Sequence, residues 1–269
     1  MKPHTRMARM DTPTHTLHRG TLPLLISAPH DGSRVPAGIA ARLTPAARRV
    51  PDTDWHIARL YRFAREMGAS IIVPKHSRYV IDLNRGEDDV SLYPGQNTTG
   101  LCPLLRFSGE PVYLPGREPD EDEVRARVET FWRPYHHALR GELERLHAEH
   151  GRVLLWEAHS IRGELPFLFE GRLPDLNLGT ASGNSCLPET QARIETVLAG
   201  QGDYGFISNG RFKGGHITRH YGRPDGGIEA VQLEISQRCY MDEDSFEWNE
   251  AKAECLRPLL KRLIQAALA

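Results

Sequence analysis

Three apolar runs in this 269-residue chain end in side chains that a core strand has no use for. "LPLLISAPHDG" closes on His30, "RVLLWEAHS" on Glu157 and His159, and "IEAVQLEIS" carries Gln232 and Glu234. Asp54, in "DTDWHIARLY", stands at an expected helix start. Two imidazoles and one carboxylate are the donor set of a hydrolytic zinc site with an open fourth position. A further carboxylate, held off the metal, can take a proton from water. Taken singly, each residue has a plainer reading. A histidine at a strand end can be a hydrogen-bonded structural group, and Glu234 in an alternating strand can face solvent. Asp54 can be only a helix cap, a job for which Asp52 competes. The spacing is long-range, and there is no compact motif such as H-E-x-x-H.

Two further stretches suggest anion recognition. "SRYVIDLNRGEDD" brackets a short apolar run with Arg78, Asn84 and Arg85. A guanidinium grips a carboxylate through paired hydrogen bonds, and an amide adds another donor. The plainer reading is a surface strand with an Asp82–Arg85 ion pair. "NGRFKGGHITRHYG" sets Arg211, Lys213, His216, Arg219, His220 and Tyr221 among glycines. It reads as a cationic loop that closes on an anion, or as a solvated hairpin.

The elements that must position these residues alternate. Short strands are expected at "LPLLIS", "ASIIVP", "RYVIDLN", "RVLLWEAHS" and "IEAVQLEIS". "DTDWHIARLYRFAREMG" has helical spacing, with Asp52 to Asp54 as start signals and Gly68 as a stop. A long amphipathic helix runs from Pro119 to Gly151, its inner face marked by Val124, Val128, Phe131, Trp132, Tyr135, Leu139 and Leu146, with Pro134 kinking or dividing it. Helices near Glu189–Ala199 and Glu247–Leu268 complete the set. The fold class expected is α/β, with a mixed central β-sheet flanked by helices. Sites on such sheets gather at the carboxyl ends of the strands. No Pro/Ser-rich linker divides the chain, so residues 21–269 read as one catalytic domain behind a flexible N-terminal extension over residues 1–20.

Composition narrows the function. The formal net charge is −1, and 39% of residues are hydrophobic, enough for a sizeable core. That balance speaks against bulk nucleic-acid or membrane-surface binding while leaving room for a local basic pocket. No apolar run approaches the roughly 20 residues that span a bilayer. The start lacks the apolar stretch of a secretory signal, and Met7 or Met10 could serve as alternative starts. Cys102, Cys186, Cys239 and Cys255 are far apart, which suits free thiols and a cytoplasmic location.

"SAPHDGSRVP", "DTDWHIARLY", "SRYVIDLNRG", "SLYPGQNTTGLCP", "FWRPYHHAL", "WEAHSIRGELPFLFEGRLPDLNLGT", "NGRFKGGHITRHYG" and "AVQLEISQRCYM" resemble, in order and register, the N-formylglutamate amidohydrolase family. The resemblance spans roughly Leu24 to Asp244. It implies a zinc-carboxypeptidase-like fold and the hydrolysis of N-formyl-L-glutamate to formate and L-glutamate in histidine degradation. It also implies roles for residues. His30 and His159 are zinc ligands, and Glu234 is the general base. Asn84 and Arg85 hold a substrate carboxylate, and Arg78 helps polarise the scissile carbonyl. Arg219 holds the second carboxylate, with Tyr221 also assigned to substrate binding. The carboxypeptidase pattern places a Glu three residues after the first His, and here Ser33 stands there. Asp54 is therefore assigned as the carboxylate ligand, with Asp52 as runner-up. The implied mechanism is attack of a zinc-activated water on the formamide. Two other readings stay open: a related zinc deacylase or amidase acting on another N-acyl amino acid, and a non-catalytic dicarboxylate-binding module.

Overall fold

The structure, a computed structural model, describes residues 13–91, 95 and 97–269. Seven strands form one sheet: β1 (His15–His18), β2 (Leu24–Ser27), β3 (Ser70–Pro74), β4 (Val153–Ile161), β5 (Leu176–Gly179), β6 (Phe206–Ser208) and β7 (Ile228–Ser236). Their order is β1-β3-β2-β4-β7-β5-β6. The central run β3-β2-β4-β7 is parallel, while β1 meets β3 and β5 meets β7 antiparallel. The sheet is thus mixed, as expected. The helices are α1 (Ala37–Ala40), α2 (Ile57–Leu60), α3 (Phe63–Met67), α4 (Glu121–Arg127), α5 (Arg133–His150), α6 (Pro188–Ala199), α7 (His216–Tyr221) and α8 (Glu250–Leu268).

Two apolar layers pin the sheet. Leu154, Trp156, Ala158, Val231, Leu233 and Ile235 point to one side and pack with α2, α6 and α8. Val153, Leu155 and Ala230 point to the other and pack with α5. Successive residues of a strand face opposite sides. His159 therefore lies on the α5 side together with Leu155 and Glu157, and Glu234 together with Ala230 and Gln232. The β4–β7 register sets His159 directly opposite Glu234. Every residue of β4 is buried, as befits a central parallel strand covered on both faces.

Several expectations need correction. His15–His18, placed in the flexible extension, is an edge strand, because its main chain completes the open edge of β3. Residues 1–12 of that extension lie outside the described residues. "RYVIDLN" is not a strand, because its main-chain groups are spent elsewhere. Asp82 N–H donates to Leu101 O, Val80 O accepts from Arg127, and Leu83 O from His136. "HITRHY" is a helix, α7, rather than a loop or hairpin. Asn84 Oδ1 accepts the Ile217 N–H at 2.8 Å near its start, and Ile217 and Tyr221, one turn apart, bury themselves in the α5-side core. The long helix is divided as Pro134 demands. Pro134 has no N–H to offer the preceding turn, and the chain widens into a π-turn over Val128–Trp132 before α5 resumes. No helix among the described residues is long and apolar enough to cross a membrane.

Candidate active site

The carboxyl ends of β2, β4 and β7 open into one cleft. His30 follows β2, His159 lies near the end of β4, and Glu234 lies near the end of β7. Asp54 precedes α2, and its N–H donates to His30 O at 3.1 Å, which ties this loop to the end of β2. The cleft is lined by His30, Asp54, Arg78, Asn84, Arg85, His159 and Glu234, together with Arg211 and Phe107. Seven of the nine site residues expected from sequence therefore come together.

His30, Asp54 and His159 each offer a ligand atom within 4.8 Å of the others. Asp54 Oδ2 is 3.0 Å from His159 Nδ1 and 3.7 Å from His30 Nδ1. The two rings are 4.9 Å apart. The far nitrogen of each imidazole faces a carboxylate: His30 Nε2 lies 2.7 Å from Asp82 Oδ1, and His159 Nε2 lies 3.2 Å from Glu157 Oε1. Glu157 is held in turn by the Thr218 hydroxyl, which donates to its Oε2 at 2.7 Å. A carboxylate on the outer nitrogen fixes the ring and leaves the inner nitrogen to a cation. Glu157, odd for a core strand, thus has a use. Asp82 was missed. It follows Arg78 by four residues, and the sequence offers it only as an ion-pair partner of Arg85 in the plainer reading, yet it accepts from Arg78 Nη2 at 2.6 Å and braces His30.

The charges are unbalanced. Four carboxyls, those of Asp54, Asp82, Glu157 and Glu234, are buried around the trio, and two of them, Asp54 and Asp82, pair with the Arg78 guanidinium. Burial would push Asp54 and Asp82 up. Hydrogen bonds and charge from His159 and His30 overrule it at Asp54, and the charges of Arg78 and His30 do so at Asp82, so both stay below the usual carboxylate range. Burial would lower His159, but Asp54 and Glu157 raise it. Glu234 has no such rescue: burial pushes it up to about 8, with His159 only partly opposing. Among the described residues its carboxyl makes no hydrogen bond. Two imidazoles and a carboxylate set among surplus negative charge fit a divalent cation, with Glu234 beside it as a base.

The remaining residues are placed differently from expectation. Asp52, the runner-up ligand, accepts from Tyr79 Oη at 2.6 Å and from the Phe107 N–H at 2.8 Å, and it is absent from the cleft wall. Arg85 lines the cleft, and its guanidinium donates to Thr99 O at 2.8 Å and Asn84 O at 3.1 Å. Asn84 Nδ2 is 3.1 Å from His159 Nε2. Arg219 and Tyr221 do not line the cleft. On a helix rather than a loop, Arg219 donates to Gly214 O at 2.9 Å, and Tyr221 is buried with its hydroxyl 2.9 Å from His136 Nδ1. Arg211, from the same cationic stretch, lines the cleft instead and donates to Asn97 O at 3.0 Å.

Residues 22–241 match the family described as N-formylglutamate amidohydrolase. The chain is 51% identical over 255 residues to an N-formylglutamate deformylase of Pseudomonas putida, covering 94% of this chain and 95% of that one. It is 50% identical over 252 residues to an N-formylglutamate deformylase of Pseudomonas aeruginosa, covering 93% and 94%. Among solved structures, an N-formylglutamate amidohydrolase from Ralstonia eutropha JMP134 superposes with a TM-score of 0.81 at 27% identity, over 95% of this chain and 97% of that one.

Proposed function

The chain belongs to the N-formylglutamate amidohydrolase family and is a hydrolase of the N-formylglutamate amide; we propose that it works with one divalent cation, zinc by its donor set, held by His30, Asp54 and His159. The observation that carries this reading is the convergence of that trio with Glu234 in a cleft that also presents Arg78, Arg85 and Arg211.

When bound, such a cation supplies charge to a developing oxyanion and brings the pKa of water to about 7. Glu234 takes the proton of the attacking water and returns it to the leaving nitrogen of glutamate. Its position opposite His159 on the adjacent strand holds it beside the trio without making it a ligand. Arg78, fixed by Asp82, adds positive charge where the formyl oxygen becomes an oxyanion. Arg85 and Arg211 take the two substrate carboxylates and orient the formamide. Asn84, bonded to α7, shapes the cleft wall, which leaves the carboxylate grip to the arginines. A substrate lacking either carboxylate would forfeit a charge-assisted pair with Arg85 or Arg211, and that loss is the source of selectivity.

The test is formate release from N-formyl-L-glutamate with and without a chelator. Turnover should vanish on chelation and return with zinc. Activity that survives complete metal removal would overturn the metal-assisted reading.

A further inference from the structure

Phe107 stands in the cleft wall, and the chemistry described above makes no use of it. It belongs to a small apolar cluster with Ile161, Leu165 and Leu173, separate from the two main cores. Its position is fixed from behind. The Phe107 N–H donates to buried Asp52, and the Tyr79 hydroxyl anchors the same carboxylate oxygen. The ring centroid lies 4.6 Å from Arg78 Cζ, and Arg78 Nη1 in turn lies 3.8 Å from Asp54 Oδ1. The ring therefore covers Arg78 at the corner where the acyl carbonyl must sit.

Phe107 also lines a second, open groove of about 450 Å³, whose other walls include Arg106, Arg162, Leu165 and Phe167. Ser160 and Ile161 border both spaces. A formyl group carries only hydrogen beyond its carbonyl carbon. Any larger acyl group needs room beside Arg78, and the ring occupies it, although space exists just beyond.

Resting on the deformylase reading, we propose that Phe107 sets the acyl selectivity of this enzyme: its ring walls the cleft off from the groove, so that formyl fits where acetyl or succinyl strikes the ring. One added carbon against a fixed apolar wall is worth about 10- to 200-fold in discrimination.

The experiment measures glutamate release from N-formyl-, N-acetyl- and N-succinyl-L-glutamate by the zinc-loaded wild type and by Phe107→Leu, Phe107→Val and Phe107→Ala. The formyl-over-acetyl ratio of kcat/KM should fall stepwise along the series, at least about tenfold at alanine, with acetyl kcat/KM rising in absolute terms while formyl kcat/KM falls. Loss of both activities in proportion, leaving the ratio flat, would show that the ring only supports Arg78 and would overturn the proposal. So would a leucine variant that no longer folds, since the ring would then be core structure. A wild type that releases glutamate from none of the three would strike instead at the deformylase reading.

Discussion

The cleft is made of two kinds of material. Its floor is His30, Asp54, His159 and Glu234, buried at or beside the ends of central strands. Sheet register fixes the distance between His159 and Glu234, and Asp82 and Glu157 lock both imidazoles from behind. Its rim is Arg85 and Arg211, which come from irregular segments. Their guanidiniums hold the main chain of Thr99 and Asn97, so the rim is fastened loop to loop rather than to the sheet. The floor is preorganised for chemistry, and the rim for grip. Damage to the floor should therefore abolish a step, while damage to the rim should weaken binding by degrees.

The largest expected effect is at the ligand that joins the floor together. Asp54→Ala should drop bound metal from one equivalent to near none and turnover to background, read by metal analysis after dialysis. Asp52→Ala should keep its metal, since Asp52 serves Tyr79 and Phe107. The opposite pattern would hand the ligand role to Asp52. Next comes Glu234→Gln, which keeps shape and removes the base. It should retain the metal and lose about 10²- to 10⁴-fold in kcat. A rate near that of the wild type would remove Glu234 from the mechanism.

The rim should respond differently. Arg211→Ala should raise KM by about 10- to 150-fold, the worth of a charged hydrogen-bonded pair at about 1.5–3 kcal/mol, with a smaller change in kcat. Arg219→Ala, at a residue that is not among those lining the cleft, should move KM by less than about threefold. Equal effects from the two would erase the distinction between arginines that line the cleft and one that does not, and a pure kcat effect at Arg211 would move it from grip to chemistry.

Legibility in the sequence follows the same division. The floor could be read because strand alternation and apolar runs are local signals. "VLLWEAHSI" and "IEAVQLEIS" announce both the strands and their polar ends. The metal trio could be proposed from strand ends and a helix start, but only the resemblance favoured it over the plainer readings, because nothing local links His30 to Asp54 or to His159. The rim is hidden where its backbone is hidden. As a loop, "HITRHY" would leave Arg219 and Tyr221 free to reach a ligand, whereas the six-residue helix buries Tyr221 and ties Arg219 to Gly214 O. Asp82 was hidden for a similar reason. In a strand it would alternate with its neighbours, but in the turn that exists it folds back onto Arg78 and forward onto His30. Such positions depend on long-range hydrogen bonds that no window of sequence displays.

His136 joins the two regions and gives the smallest effect. It is buried on α5 against Trp132 and Tyr221. Its Nε2–H donates to Leu83 O at 2.9 Å, in the segment that carries Asp82, Asn84 and Arg85. Its Nδ1 accepts from the Tyr221 hydroxyl at 2.9 Å. Both bonds suit the neutral ring, and burial, aided by the nearby charges of His216, His220 and Arg140, lowers its pKa to about 3. Between pH 6.5 and 3 the unfolded chain binds a proton here that the folded chain refuses, so stability is full above pH 6.5 and falls as the pH drops. With an unfolded value of 6.5, the loss from pH 8 to pH 6 should be about 0.8 kcal/mol. His136→Gln keeps a donor for Leu83 O and removes the titration. Urea unfolding in excess chelator, at both pH values, should show the wild type losing that much more than the variant. Equal losses would mean that the Leu83 segment is held independently of this ring, and that acid reaches the floor and the rim by separate routes.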